Sequence, residues 1–211
     1  MDPHAENYLS FSPYAYVGNN PIIYIDPDGR DRKLIYNHSN KTITVKATYY
    51  HNINSTRGAR AGVNVFNNIK GATYTDSNGT TWAVNFNLST RRSRDPVGDA
   101  YKDPQGNSFE VKNEVIDPVN GKKVAGFAAD QKYTEVDRDY VDALTPAHEM
   151  GHTLGMDHAE TGVMTTPSNH PNRDESITQE NINQMIEQGK GPVEHRMSFW
   201  DMLKTIVNVL L

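Results

Sequence analysis

Between His148 and His158 the chain reads HEMGHTLGMDH, three of its eight histidines and a glutamate within eleven residues. That spacing dictates a local structure. Thr145 is expected as an N-cap and Pro146 as the first helical residue, where its missing N–H is one a helix leaves unpaired anyway. With about 3.6 residues per turn, His148 and His152 stack on one face. Glu149, turned by roughly 100°, borders that face without joining it. Gly155 is expected to end the helix through a positive φ, which would cost a residue with a Cβ on the order of 1 kcal/mol. The reversal brings His158 round as a third imidazole.

Three neutral nitrogen donors with a free fourth position are the arrangement of a catalytic zinc; a closed structural site needs a fourth protein ligand. The chain has no cysteine, which excludes disulfides, zinc knuckles and thiol catalysis and leaves His, Asp and Glu as its strong metal ligands. Any one of these histidines alone is better read as a solvated or core residue. Together with Glu149 and Gly155 they predict a Zn2+ held by His148, His152 and His158, with Glu149 as general base toward water.

Followed by AETGVMTTP, this segment resembles the metzincin zinc proteases over about Asp31 to Lys190. The resemblance implies an α+β, metzincin-like zincin domain with a twisted mixed sheet, an active-site helix and a C-terminal helix. It implies a methionine in a tight turn beneath the metal, matched by Met164, and hydrolysis of a protein or peptide substrate lying along an edge strand. KVAGFAADQKYTEV, from Lys123, is the expected edge strand. The interval from His158 to Met164 is short and no tyrosine follows, so the closer likeness is to the matrixin type. Asp142, Asp157 and Glu160 are the carboxylates near enough in sequence to orient imidazole N–H groups, though each is better read as a solvated carboxylate.

Elsewhere the pattern is mixed. KTITVKATYYHNI, from Lys41, and the stretch around Trp82 and Phe86 have period two and read as strands. A helix is expected from a Ser55 cap to a Gly71 stop. Three Asp-Pro pairs between Arg92 and Gly121 predict long loops around one strand, SFEVKNEV. Ile177, Ile182, Met185 and Ile186 mark an amphipathic helix capped by Ser176 or Thr178. The remaining histidines, His4, His38, His51, His170 and His195, are read as surface residues. Residues 191–211 are read as an amphipathic helical tail, too short and too polar to span a bilayer, so no stable membrane insertion is expected.

The first thirty residues, with SPYAY, NNP and YIDPDGR, resemble the end of the Rhs-repeat-associated core of bacterial polymorphic toxins. The likeness begins partway through that motif, at MDPHAENY, which implies a C-terminal fragment or displaced cassette. It also implies a domain boundary near Arg30, a parent Rhs shell, a cognate immunity protein, and delivery into target cells by a specialised secretion system; no signal peptide opens the chain. Self-processing of the larger chain and a non-catalytic zinc-stabilised binding module are the alternatives. A net charge of −5 without a basic stripe argues against nucleic acid as a partner.

Overall fold

Alternation of apolar and polar residues sets the sheet. Strand β2 (Thr42–His51) buries Ile43, Val45, Ala47 and Tyr49, and β4 (Thr81–Arg92) buries Trp82, Val84, Phe86 and Leu88. The two run parallel with Ile43 beside Val84, Val45 beside Phe86 and Ala47 beside Leu88. Successive side chains point to opposite faces, so these residues share one apolar face, while Thr44, Lys46, Asn85 and Asn87 share the polar one. The computed structural model describes residues 32–129, 132–141, 144–166, 170–188 and 192–197. The Rhs-like segment 1–30, with His4, and the apolar tail 198–211 lie outside the described residues.

Helix α1 (Thr56–Asn68) crosses from β2 to β4 and holds its place by packing rather than by intrinsic propensity. It buries Gly58, Ala59, Gly62, Val63 and Phe66, and the Phe66 ring lies 5.4 Å from that of Phe86. Truncating Phe66 to alanine would cost about 3–5 kcal/mol.

The other strands extend this pair. β1 (Lys33–Asn37) is antiparallel to the first half of β2, and β5 (Gly106–Lys112) is parallel to its last residues. β9 (Tyr133–Asp137) follows parallel to β5, and β8 (Gly126–Ala129) ends that side antiparallel to β9. β3 (Thr73–Thr75) forms a hairpin with β4, β10 (Val193–Arg196) runs parallel outside β1, and β6 (Val115–Ile116) with β7 (Lys123–Val124) makes a separate ribbon. With α2 (Pro96–Lys102), α3 (Thr145–Thr153) and α4 (Gln179–Glu187), the fold is α+β around a mixed eight-stranded sheet. The Tyr49 hydroxyl, on the apolar face, lies 2.8 Å from the Thr153 hydroxyl, which seats α3 beside α1 on that face.

Several expectations are corrected. Ser55 stands at the N-cap of α1 as expected but its side chain makes no capping bond: its hydroxyl accepts the Val111 N–H at 2.9 Å and donates to Asn52 Oδ1, tying the helix start to β5. Ile69, extended at ψ 128, ends α1 before Gly71 is reached. The loop around Asp95-Pro96 contains α2, because Asp95 Oδ1 accepts the Gly98 N–H and Pro96 opens the helix. An Asp-Pro pair is here a helix start. KVAGFAADQKYTEV divides into β7, β8 and β9, and SFEVKNEV into β5 and β6. Val193–Arg196, within the stretch read as tail, are in the sheet. His51 is a core residue, 3% exposed, with Nδ1 2.8 Å from the Asn52 carbonyl, while His38 and His195 face each other at 2.9 Å.

Candidate metal centre

Helix α3 starts one residue earlier than its sequence suggests. Leu144 stands at the N-cap, Thr145 is the first helical residue with a buried hydroxyl that finds no partner, and Pro146 is the second. The other end follows the sequence. Gly155 adopts φ 90; its N–H donates to the His152 carbonyl at 3.0 Å, and the Met156 N–H donates to the Gly151 carbonyl at 3.0 Å. These are the paired bonds of a Schellman motif, which need a left-handed residue at Gly155. The turn sends the chain back past the helix and places His158 against its two partners.

The three imidazoles converge. One nitrogen from each of His148, His152 and His158 lies within 4.8 Å of the others, a group that could hold a metal ion. The His148 and His158 rings stack with centroids 5.2 Å apart, and His152 stands edge-on to both at 4.8 Å. His148 Nε2 and His152 Nε2 are 3.3 Å apart.

Hydrogen bonding fixes what those nitrogens present. His148 Nδ1 faces the Val163 carbonyl at 3.0 Å, and His152 Nδ1 faces the Met156 carbonyl at 2.9 Å. A carbonyl only accepts, so each Nδ1 carries the proton and each neutral ring turns a bare Nε2 lone pair inward. Two lone pairs at that separation repel unless a cation lies between them. A proton is a poor substitute, since burial, reinforced by His152, pulls His148 down to about 3, and burial, reinforced by His158, pulls His152 down to about 4. The donor set therefore fits a nitrogen-loving divalent cation such as Zn2+. Backbone carbonyls orient the His148 and His152 rings; Asp157 and Glu160 are exposed, in keeping with their reading as solvated carboxylates, and Asp142 lies outside the described residues.

Neither a known protein family nor a curated protein matches this chain.

Glu149 is buried, 7% exposed, and burial pushes its carboxyl up to about 8, against the opposing pull of Arg173. It lies against Gly126 of β8, where a Cβ would come within 2.6 Å of Glu149 Cγ and Oε1. β8 is the last strand of its sheet, paired only with β9 among the described residues. The segment singled out as an edge strand thus has its edge portion at Gly126–Ala129, directly beside Glu149.

Met164 is fully buried and its sulfur fills the space beside Gly151, in the helical turn between His148 and His152. Its carbonyl accepts the Ala159 N–H at 3.0 Å, so the methionine turn also holds the residue after His158. Gly162, at φ 81, opens that turn, and the Thr165 N–H closes it onto the Gly162 carbonyl. Thr178 caps α4 by accepting the Asn181 N–H. From that helix Asn181 Nδ2 donates to the Asp157 carbonyl at 2.8 Å, and Gln184 Oε1 accepts the Asp157 N–H at 3.0 Å. α4 therefore positions the His158 loop. Sequence reasoning read that helix as the expected C-terminal helix and missed Asn181, Gln184, Gly126 and Arg173. Asn181, polar yet on the apolar side of the helical period, was the one available signal.

Proposed function

We propose that this chain is a zinc-dependent endopeptidase of the metzincin, matrixin-like kind and the C-terminal toxin of an Rhs polymorphic toxin. The observation that carries the enzymatic reading is the pairing of a convergent three-imidazole group with a buried carboxylate beside an edge strand. When bound, zinc acts as a Lewis acid toward water and a peptide carbonyl. His148 and His152 would hold it through Nε2, their Nδ1 protons being locked by the Val163 and Met156 carbonyls, and His158 would supply the third imidazole nitrogen.

Glu149 supplies the proton traffic. Its carboxylate accepts a proton from the attacking water as the C–O bond forms, then returns it to the amide nitrogen as the C–N bond breaks. Burial raises its basicity, which suits a base that must also act as an acid near neutral pH. The substrate backbone adds to the free edge of β8 as a further strand, bringing its carbonyl past Glu149.

A non-catalytic binding module has no use for a general base, whereas Glu149 is a carboxyl group kept buried beside the three imidazoles at a desolvation cost. The toxin assignment, immunity partner and delivery rest on the N-terminal resemblance. The test is digestion of a proteome-derived peptide library by zinc-loaded protein and by its Glu149→Ala variant. The variant should retain zinc and lose about 10²- to 10⁴-fold in rate; a variant that keeps the wild-type rate overturns the mechanism.

A further inference from the structure

Arg173 lies in the segment between the methionine turn and α4. Its neighbours on either side are pinned to that turn: the Asn172 carbonyl accepts the Gly162 N–H at 3.0 Å, and the Ser176 carbonyl accepts the Val163 N–H at 2.8 Å. Its side chain reaches toward the metal centre, where its charge acts on both Glu149 and His148.

Two of its guanidinium nitrogens, Nε and Nη2, are buried without a hydrogen-bond partner. The nearby acids do not supply one. Asp174 is engaged with the Ser176 N–H and hydroxyl, Glu175 lines a groove with Asn64 and Leu144, and Glu149 attracts Arg173 without taking a hydrogen bond from Nε or Nη2. Leaving charged donors buried and unpaired costs more than leaving neutral ones, so such a group marks a place where a ligand completes the hydrogen bonding.

The identity of the two nitrogens narrows the ligand. Nε–H and the adjacent Nη2–H run parallel along one edge of the guanidinium, a fork that matches the two oxygens of a carboxylate and is wasted on a single carbonyl oxygen. We propose that Arg173 is the carboxylate receptor of this site, binding through Nε and Nη2 an acidic side chain or the free C-terminus of a peptide near the bond to be cut. The position near the bond to be cut rests on the peptidase reading; the carboxylate chemistry does not.

The test has two arms. In the first, zinc-loaded wild type, Arg173→Lys and Arg173→Gln digest a proteome-derived peptide library with its carboxylates intact, and the same library with every carboxylate converted to a methyl amide. Wild type should favour carboxylate-bearing sites at least tenfold. Arg173→Lys, which keeps the charge but not the fork, should fall to a few-fold, and Arg173→Gln should show no preference. Cuts at a fixed distance from internal Asp or Glu identify the side-chain source, and cuts clustered at C-termini identify the terminal one. Equal use of both libraries by wild type, or a preference that survives Arg173→Gln, overturns the proposal.

In the second arm, metal-free wild type is titrated with acetyl-Ala-Glu-Ala amide and its Gln counterpart, and with acetyl-trialanine as acid and as amide. The Arg173 Nε–H NMR resonance, identified by its loss in Arg173→Lys, should move with a carboxylate ligand and not with the neutral ones; no difference between them overturns the proposal. A shift without any peptide cleavage leaves the carboxylate receptor standing and removes the peptidase reading. Cleavage without shift or preference does the reverse.

Discussion

Gly151 and Met164 meet so closely that a Cβ on Gly151 would fall 2.2 Å from the Met164 sulfur. The helix carrying His148 and His152 can rest on the methionine only because that position has no side chain. Gly151→Ala sets two effects against each other: a helix-propensity gain of roughly 0.5–1 kcal/mol and an overpacking cost of about 1–3 kcal/mol. Overpacking should win, since Met164 is fully buried and has nowhere to swing. A lowered urea midpoint at unchanged slope is the expected readout; a raised midpoint would contradict the packing described.

Gly126→Ala tests the other glycine contact. The new methyl would collide with Glu149 Cγ and Oε1 and displace the carboxylate, the atoms of Glu149 being the nearest to it. Zinc affinity should stay within about twofold while hydrolysis falls at least about tenfold, as misplacement of a catalytic group by a fraction of an ångström predicts. Equal losses of metal and activity would show that β8 supports the imidazoles instead.

Asn181→Ala removes the amide that donates to the Asp157 carbonyl, one of the two hydrogen bonds tying the His158 loop to α4, and leaves Gln184 on the Asp157 N–H. Loss of an outer contact to a metal site typically weakens affinity about 10- to 100-fold. Competition with a chromophoric chelator measures this directly. An unchanged dissociation constant would mean that the loop holds its shape without the Asn181 contact.

The metal-free protein should have a distinctive pH profile. Folded His148 and His152 titrate at about 3 and about 4, below the ordinary 6.5, because they are buried. Below pH 6.5 the unfolded chain binds two protons that the folded chain refuses, and stability falls. Folded Glu149 titrates at about 8, above the ordinary 4.5, so it holds a proton between those values that the unfolded chain lacks. Its contribution is full below 4.5 and is lost as pH rises through 8. Stability should therefore rise from pH 8 toward 6.5 and then decline, two protons outweighing one. Glu149→Gln should abolish the rise and steepen the decline. Urea midpoints of chelator-treated protein across this range check it, and a steady gain down to about pH 5 would contradict the signs derived from these shifts.

Local signals in the sequence were read well where chemistry depends on short spacing. The i, i+4 histidines, the positive φ of Gly155, and the period-two alternation of β2 and β4 each follow from one stretch of chain. Partners distant in sequence were not legible. Ser55 reads as a cap but is claimed by Val111 across the fold, and the orienting acceptors for His148 and His152 are backbone carbonyls, which carry no side-chain signature. Short strands such as β3 and β6 are too brief to show a period, and α2 hides behind an Asp-Pro pair that marks turns as often as helix starts. Arg173 and Gly126 gain meaning only once the fold brings them to Glu149.

X-ray absorption at the zinc edge of protein loaded with one equivalent of Zn2+ tests the three-imidazole centre most directly. The account predicts three nitrogen donors at about 2.0–2.1 Å plus one exchangeable light atom, with the imidazole signal reduced by one ring in His158→Ala. Fewer than three imidazoles, or a fourth donor from the protein that chloride or azide cannot displace, would contradict it.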